Sequence, residues 1–216
     1  YSHKDIENIE LYLPEDWQER LSRLQQEFGI DKGRAYVGIN LGADDILNAR
    51  LRFRNYSVSF LKRMLGYITK HYPVILTGKS VERMEDERRE LGKITSEFPS
   101  VINLIDRLDL EKLILVIKGC RCYISSDTGA LHIARGVGTP FVGLFGQKSG
   151  KVEVGPYKSA KGLLVIQSDF KCSPCDWRID DACLKNMRAR CMEVLSVETI
   201  IKEVKKLMQM STESKW

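Results

Sequence analysis

The sequence predicts an α/β protein built on a doubly wound parallel sheet. Short apolar runs recur along the chain, as YVGINL, PVILT, VINLI, CYISS, FVGLF and LLVIQ, each of strand length. Amphipathic helical patterns lie between most of these runs. Parallel strands need crossover connections and helices must cover both faces of the sheet, so this alternation points to one architecture.

Each element has its own signal. From 11 to 29, LYLPEDWQERLSRLQQEFG places proline and acids at a helix start, Leu21, Leu24 and Phe28 at helical spacing, and Gly29 as a stop. After DKGR, the run at 36–41 reads as a buried strand. Val58, Leu61, Leu65 and Ile68 then share one helix face, and the charged VERMEDERRELGKI forms a second helix. Asp109 caps a third helix carrying Leu110, Leu113, Ile114 and Ile117. The connection GQKSGKVEVGPYKSAKG has four glycines and no helical period, and it is expected to be a loop. Near the end, Ser196 caps a helix with Val197, Ile200, Ile201, Val204 and Leu207 on one face, and the tail STESKW frays.

Size and charge narrow the function classes. A chain of 216 residues, 43% hydrophobic, can bury one sizeable core. Its net charge of +5 comes from 34 basic and 29 acidic residues that are interspersed, unlike the dense basic stripe of a nucleic-acid binder. No apolar run approaches the roughly 20 residues of a bilayer span. The opening YSHKDIENIE is acidic and shows no secretory leader, so a cytoplasmic, reducing compartment is expected. It begins with Tyr1 rather than Met, as one part of a longer protein would.

In an open parallel sheet the ligand crevice lies beyond the carboxyl ends of the strands. Four turns qualify: LGADDILNARLRFRN, LTGKSVE, LIDRLD and ISSDTGA. In the last, Ser126, Asp127 and Thr128 are all good N-cap residues, and Gly129 allows close backbone approach. Free N–H groups and the helix dipole favour a phosphate there. Asp127 would repel a phosphate, and it suits sugar hydroxyls or capping better. His132 shares the helix face of Thr128. Capping alone accounts for the local pattern, since every helix needs caps, and a lone His132 is most simply a packed core residue. GVGTP reads as a helix stop and a turn into the next strand.

The stretch DTGALHIARGVGTPFVGLFG, Asp127 to Gly146, resembles the signature of the family 9 glycosyltransferases, the lipopolysaccharide heptosyltransferases, D-[ST]-G-x-x-H-x-A-x-x-x-G-x-P-x-V-x-L-F-G, at every fixed position. The segment CSPCDWRIDDACLKNMRARCM is similar to the one that follows this signature in heptosyltransferase-II-like members. The resemblance implies a GT-B type glycosyltransferase with two Rossmann-like domains, of which this chain is the C-terminal, donor-binding half. It implies an interdomain linker and helix over 1–34, a Rossmann-like nucleotide-sugar domain over 35–210 that includes a cysteine-rich loop at 171–192, and a tail at 211–216. The acceptor site and the catalytic base would belong to a missing N-terminal domain, leaving no catalytic residue in this chain.

Residue by residue, the resemblance assigns Asp127, Thr128, Gly129 and His132 to the donor site. Arg54, in the triplet Arg54, Asn55 and Tyr56, stands where the family has a Lys-x-Trp pair on the donor phosphate; arginine can hold a phosphate bidentately, and Arg54 could equally be a solvated basic residue among Arg50 and Arg52. Glu82 stands where a family glutamate meets the ribose, and it could equally serve as a first-turn helix acid. The turn after the first strand is longer than the family's and carries Asp44 and Asp45, which a diphosphate would repel. The implied reaction is inverting, needs no metal or other cofactor, and uses a nucleotide-diphosphate sugar, ADP-heptose, with a glycan or glycolipid acceptor. Peripheral contact with the inner face of the inner membrane follows from such an acceptor, and nucleic acid is not an expected partner.

Cys172 and Cys175 form Cys-x-x-Cys, and Cys183 and Cys191 each follow after seven intervening residues. Four thiolates can hold tetrahedral zinc, but this spacing is not a double Cys-x-x-Cys, so zinc, free thiols and disulfides all stay open. The competing function is a non-catalytic glycosyltransferase-like domain that binds a nucleotide or a protein partner.

Overall fold

The structure, a computed structural model, describes residues 10–42, 55–80, 85–154, 163–175, 183 and 189–209. Six strands form one sheet: β1 (Val37–Asn40), β2 (Val74–Thr77), β3 (Val101–Asn103), β4 (Cys122–Ser126), β5 (Phe141–Phe145) and β6 (Leu163–Gln167). Their order is β3-β2-β1-β4-β5-β6 and every pairing is parallel. This is the doubly wound, Rossmann-like α/β sheet that the alternation of strand and helix patterns predicts. The chain steps outward from β1 to β3, then returns to place β4 on the other side of β1. The switch point between β1 and β4 is thereby fixed, with Val37 opposite Cys122 and Ile39 opposite Ile124.

The helices are α1 (Trp17–Glu27), α2 (Val58–Ile68), α3 (Glu85–Gly92), α4 (Ile94–Glu97), α5 (Leu110–Gly119), α6 (Gly129–Gly136), α7 (Gly150–Val154), α8 (Arg190–Glu193) and α9 (Val197–Gln209). They cover two faces because strand residues alternate sides. On one face Val37, Ile39, Leu76, Ile124 and Leu144 pack with Phe60, Leu61, Met64 and Leu65 of α2 and Ile200 and Val204 of α9. On the other, Ile75, Tyr123, Phe141 and Phe145 pack with Leu24 of α1, Leu115 and Val116 of α5, and Leu131 and Ala134 of α6.

Local chemistry explains the helix ends. Asp109 Oδ1 accepts from Lys112 N at 2.8 Å, so the predicted cap of α5 is made. Ser196 Oγ accepts from Thr199 N at 3.1 Å at the start of α9. GVGTP stops α6 as expected: Gly138 lies at φ 72° and Thr139 N donates to Ala134 O at 2.8 Å.

One expectation is corrected. The connection read as a loop from residue 146 contains α7, five residues long. It is too short to show a period, and a tertiary contact holds it: Gly150 N donates to the side chain of Gln167 at 2.9 Å. A Cβ at Gly150 would lie 2.3 Å from Val165 Cγ1, so glycine there lets α7 approach the sheet closely. Arg54, Glu82, Asp44 and Asp45, most of the cysteine-rich loop and the tail lie outside the described residues.

Candidate functional site

The switch point has a rigid polar floor. Asn40 closes β1, and its Oδ1 accepts from Gly42 N at 2.8 Å. Thr77 of β2 and Tyr123 of β4 share a hydroxyl–hydroxyl bond of 2.6 Å, and both side chains are buried. Burial pushes the Tyr123 phenol well above its ordinary value, so it stays a neutral hydrogen-bonding group. The Tyr56 hydroxyl donates to Asn40 O, which anchors the entry to α2 on the same strand end. Gly42, at φ 96°, meets the Asn55 side chain so closely that a Cβ would sit 2.1 Å from Asn55 Oδ1. The chain can leave β1 here only with glycine.

Beside this floor, SDTG joins β4 to α6. Ser125, Ser126, Asp127 and Thr128 are all at most 8% exposed. Thr128 occupies the N-cap position with extended backbone, yet its side chain makes no capping hydrogen bond. Its Oγ1 instead pairs with Ser125 Oγ at 2.9 Å. Of the three cap candidates that the sequence offers here, Ser126, Asp127 and Thr128, the one at the N-cap position thus does not cap through its side chain. Gly129 opens α6 without a positive φ, and a Cβ there would find nothing within 4 Å. Neither backbone conformation nor protein packing requires glycine at this place. The first turn of α6 thus presents its backbone N–H groups at a smooth, exposed spot, the arrangement that suits an oxyanion.

His132 is not the packed core residue that its pattern allowed. Its side chain is 47% exposed and its Nε2 lies 3.8 Å from Asp127 Oδ1, too far for a hydrogen bond. The turns after β2 and β3 are joined next to this edge, with Asp106 accepting from Ser80 N at 2.9 Å and also from the Ser80 hydroxyl. Of the residues assigned to the donor site from sequence, Asp127, Thr128, Gly129 and His132 thus stand together on one turn, and Arg54 and Glu82 fall outside the described residues.

The sequence matches the family described as glycosyltransferase family 9 (heptosyltransferase) over residues 4–185. The chain belongs to this family. Lipooligosaccharide heptosyltransferase 2 of Haemophilus influenzae is 28% identical over 150 residues, which make up 67% of this chain and 42% of that protein. Lipooligosaccharide heptosyltransferase 2 of Campylobacter jejuni is 27% identical over 187 residues, 86% of this chain and 55% of that protein. The chain spans about half the length of the curated relatives it matches. Among solved structures, Escherichia coli ADP-heptose lps heptosyltransferase II superposes with a TM-score of 0.66 at 17% identity, covering 92% of this chain and 53% of that one. At that identity the likeness establishes a shared fold.

As a family 9 chain, it carries its cysteine segment against the carboxyl end of β5. Cys175 N donates to Gln147 O at 3.0 Å and Ser173 Oγ to Gly146 O at 2.6 Å. Cys191 is buried, and its thiol is pushed up to about 12, first by burial and then by Cys183, Cys175 and Cys172. No disulfide joins any of the six cysteines, and among the described residues no group of three or more His, Cys, Asp or Glu side chains is placed to hold a metal ion. Glu193 of α8 was not singled out from sequence. Its carboxylate accepts from Ser57 N at 2.8 Å and Ser57 Oγ at 2.7 Å, locking the cysteine segment to the start of α2. A partner 136 residues away leaves no local pattern in the sequence.

Proposed function

We propose that this chain is the nucleotide-sugar half of an inverting heptosyltransferase that needs no metal, acting from ADP-heptose onto a lipopolysaccharide core or a related glycan. The observation that carries the reading is the glycine-led start of α6 at the switch point, where the Thr128 side chain does not cap the helix. It is a site for a diphosphate, with a buried carboxylate, Asp127, close by for sugar or ribose hydroxyls. Thr128, Gly129 and the first-turn N–H groups hold the diphosphate, Asp127 and His132 border the sugar, Arg54 supplies a cation and Glu82 accepts from the ribose.

In the transfer, an acceptor hydroxyl oxygen forms the new bond to the anomeric carbon from the face opposite the diphosphate. The old carbon–oxygen bond breaks, its electron pair leaves on the nucleoside diphosphate, and the hydroxyl proton passes to a base in the other half of the enzyme. The contribution of this chain is fixed N–H groups aimed at the charge that develops on the leaving phosphate, which need no reorganisation as the bond breaks. Residues 1–216 alone bind donor and do not turn it over. Among the described residues no helix is long and apolar enough to cross a membrane, and we place the enzyme in the cytoplasm, meeting its glycolipid acceptor at the inner face of the inner membrane.

The test is a binding and transfer panel of ADP-, GDP- and UDP-sugars with the natural full-length protein, wild type and Asp127→Ala. The expected result is binding of ADP-heptose that Asp127→Ala weakens. Binding of none, with Asp127→Ala indistinguishable from wild type, sinks the transferase reading and leaves a partner-binding domain.

A further inference from the structure

Gln147, which directly follows the family signature, is only 2% exposed. Neither Nε2 nor Oε1 of its carboxamide has a hydrogen-bond partner. Native structures rarely leave a buried amide unpaired at both ends, because each end has lost its water without gaining a replacement. Ser126, the residue before Asp127, is also fully buried with its hydroxyl unpaired. Two unpaired polar side chains therefore lie at this strand end, Ser126 at the start of the SDTG turn and Gln147 beyond the adjacent β5.

The place of Gln147 follows from its chain neighbours. A Cβ at Gly146 would meet Cys191 Sγ at 2.5 Å and Met192 Sδ at 2.8 Å, so position 146 looks toward α8. A Cβ at Gly143 would meet Phe145 at 2.8 Å and Leu131 of α6 at 3.4 Å, so positions 143 and 145 look toward α6. Ser126 of β4 pairs with Leu144 of β5, so Gln147, three residues on, lies past the carboxyl edge of the sheet, beside the strand from which the SDTG turn leaves.

The chemistry of the group narrows the ligand. Phosphate oxygens only accept, so a phosphate would leave Oε1 unpaired. A sugar hydroxyl both donates and accepts, and a pair of hydroxyls can satisfy both ends of a carboxamide. We propose that Gln147 is a specificity residue that reads the sugar of the donor held at the α6 turn, exchanging hydrogen bonds with two sugar hydroxyls after a change of its own rotamer. This rests on the nucleotide-sugar reading above.

The experiment is equilibrium binding to the natural full-length protein with two probes, ADP-heptose and ADP, for wild type, Gln147→Leu and Gln147→Met. Both variants are expected to weaken ADP-heptose about tenfold or more while leaving ADP within about twofold, because only the sugar contacts are lost. Their melting temperatures should not fall, since an unpaired buried amide is replaced by an apolar group of similar size. The methionine variant, equal in length to glutamine, serves if leucine disturbs folding. Equal loss for both probes, no loss for either, or a lower melting temperature in both variants overturns the assignment. Wild type that binds neither probe refutes the nucleotide-sugar reading itself, a separate outcome.

Discussion

Gly129→Ala separates a ligand site from a folding requirement more cleanly than any other single change. The new methyl group meets nothing within 4 Å, and Gly129 does not use a positive φ. The folded chain therefore pays neither a steric nor a conformational cost. Alanine narrows the unfolded ensemble and favours a helix start, a gain of about 0.4–1 kcal/mol. For a chain of this size that corresponds to a rise of roughly 1–4 °C in melting temperature. On the proposed reading, the same methyl stands where a diphosphate comes within hydrogen-bonding distance of the first-turn N–H groups. Affinity for ADP should fall about tenfold or more, or about 1.4 kcal/mol. Thermal unfolding followed by circular dichroism and calorimetric titration with ADP give the two numbers. A variant that melts lower, or that binds ADP as wild type does, refutes the claim that this glycine is kept for a ligand.

Three further outcomes follow from the packing and charge. Gly146→Ala forces a Cβ to 2.5 Å from Cys191 Sγ in a filled core and should cost about 1–3 kcal/mol in urea unfolding. Adding Cys191→Ala removes the clashing sulfur, so the double variant should be more stable than the sum of the single changes predicts, and strict additivity would show that the two residues do not touch. The Glu90 carboxyl is held down from 4.5 to about 2 by hydrogen bonds from Lys62 and Lys93. Being depressed, it adds stability above pH 4.5 that is lost as pH falls toward 2. The melting-temperature gap between wild type and Glu90→Gln should therefore be constant above pH 4.5 and close as pH falls toward about 2, and a gap that persists into stronger acid contradicts the ion pairs. In thiol labelling of the native protein, the half-buried Cys172 and Cys175 should react first. Cys120 and Cys191, with thiols pushed up to about 12, should react only on unfolding, and uniform labelling rates would contradict their burial.

The sheet was legible because its four inner strands are fully buried and read as unbroken apolar runs, such as CYISS and FVGLF, set between helical periods. Asp109 and Ser196 were legible as caps because their partners lie three residues away. The SDTG turn was legible as a segment, but not its state: only the structure shows that Thr128 pairs with Ser125 instead of capping α6. Helix α7 escaped because five residues carry no period, and Gln167 from β6 helps to hold it. The links from Glu193 to Ser57 and from Thr77 to Tyr123 escaped for a similar reason, since both join residues far apart in sequence. The unpaired amide of Gln147 has no sequence signal at all, because it depends on what fails to surround it.

The central claim is that the first turn of α6 holds the diphosphate of a nucleotide sugar. The most direct measurement is a nuclear magnetic resonance titration of the labelled protein with ADP and then ADP-heptose, following the backbone amides of Thr128, Gly129 and Ala130. Saturable shifts at these three amides with both ligands are the predicted result. Saturable binding that leaves them unmoved, while amides elsewhere respond, would contradict it.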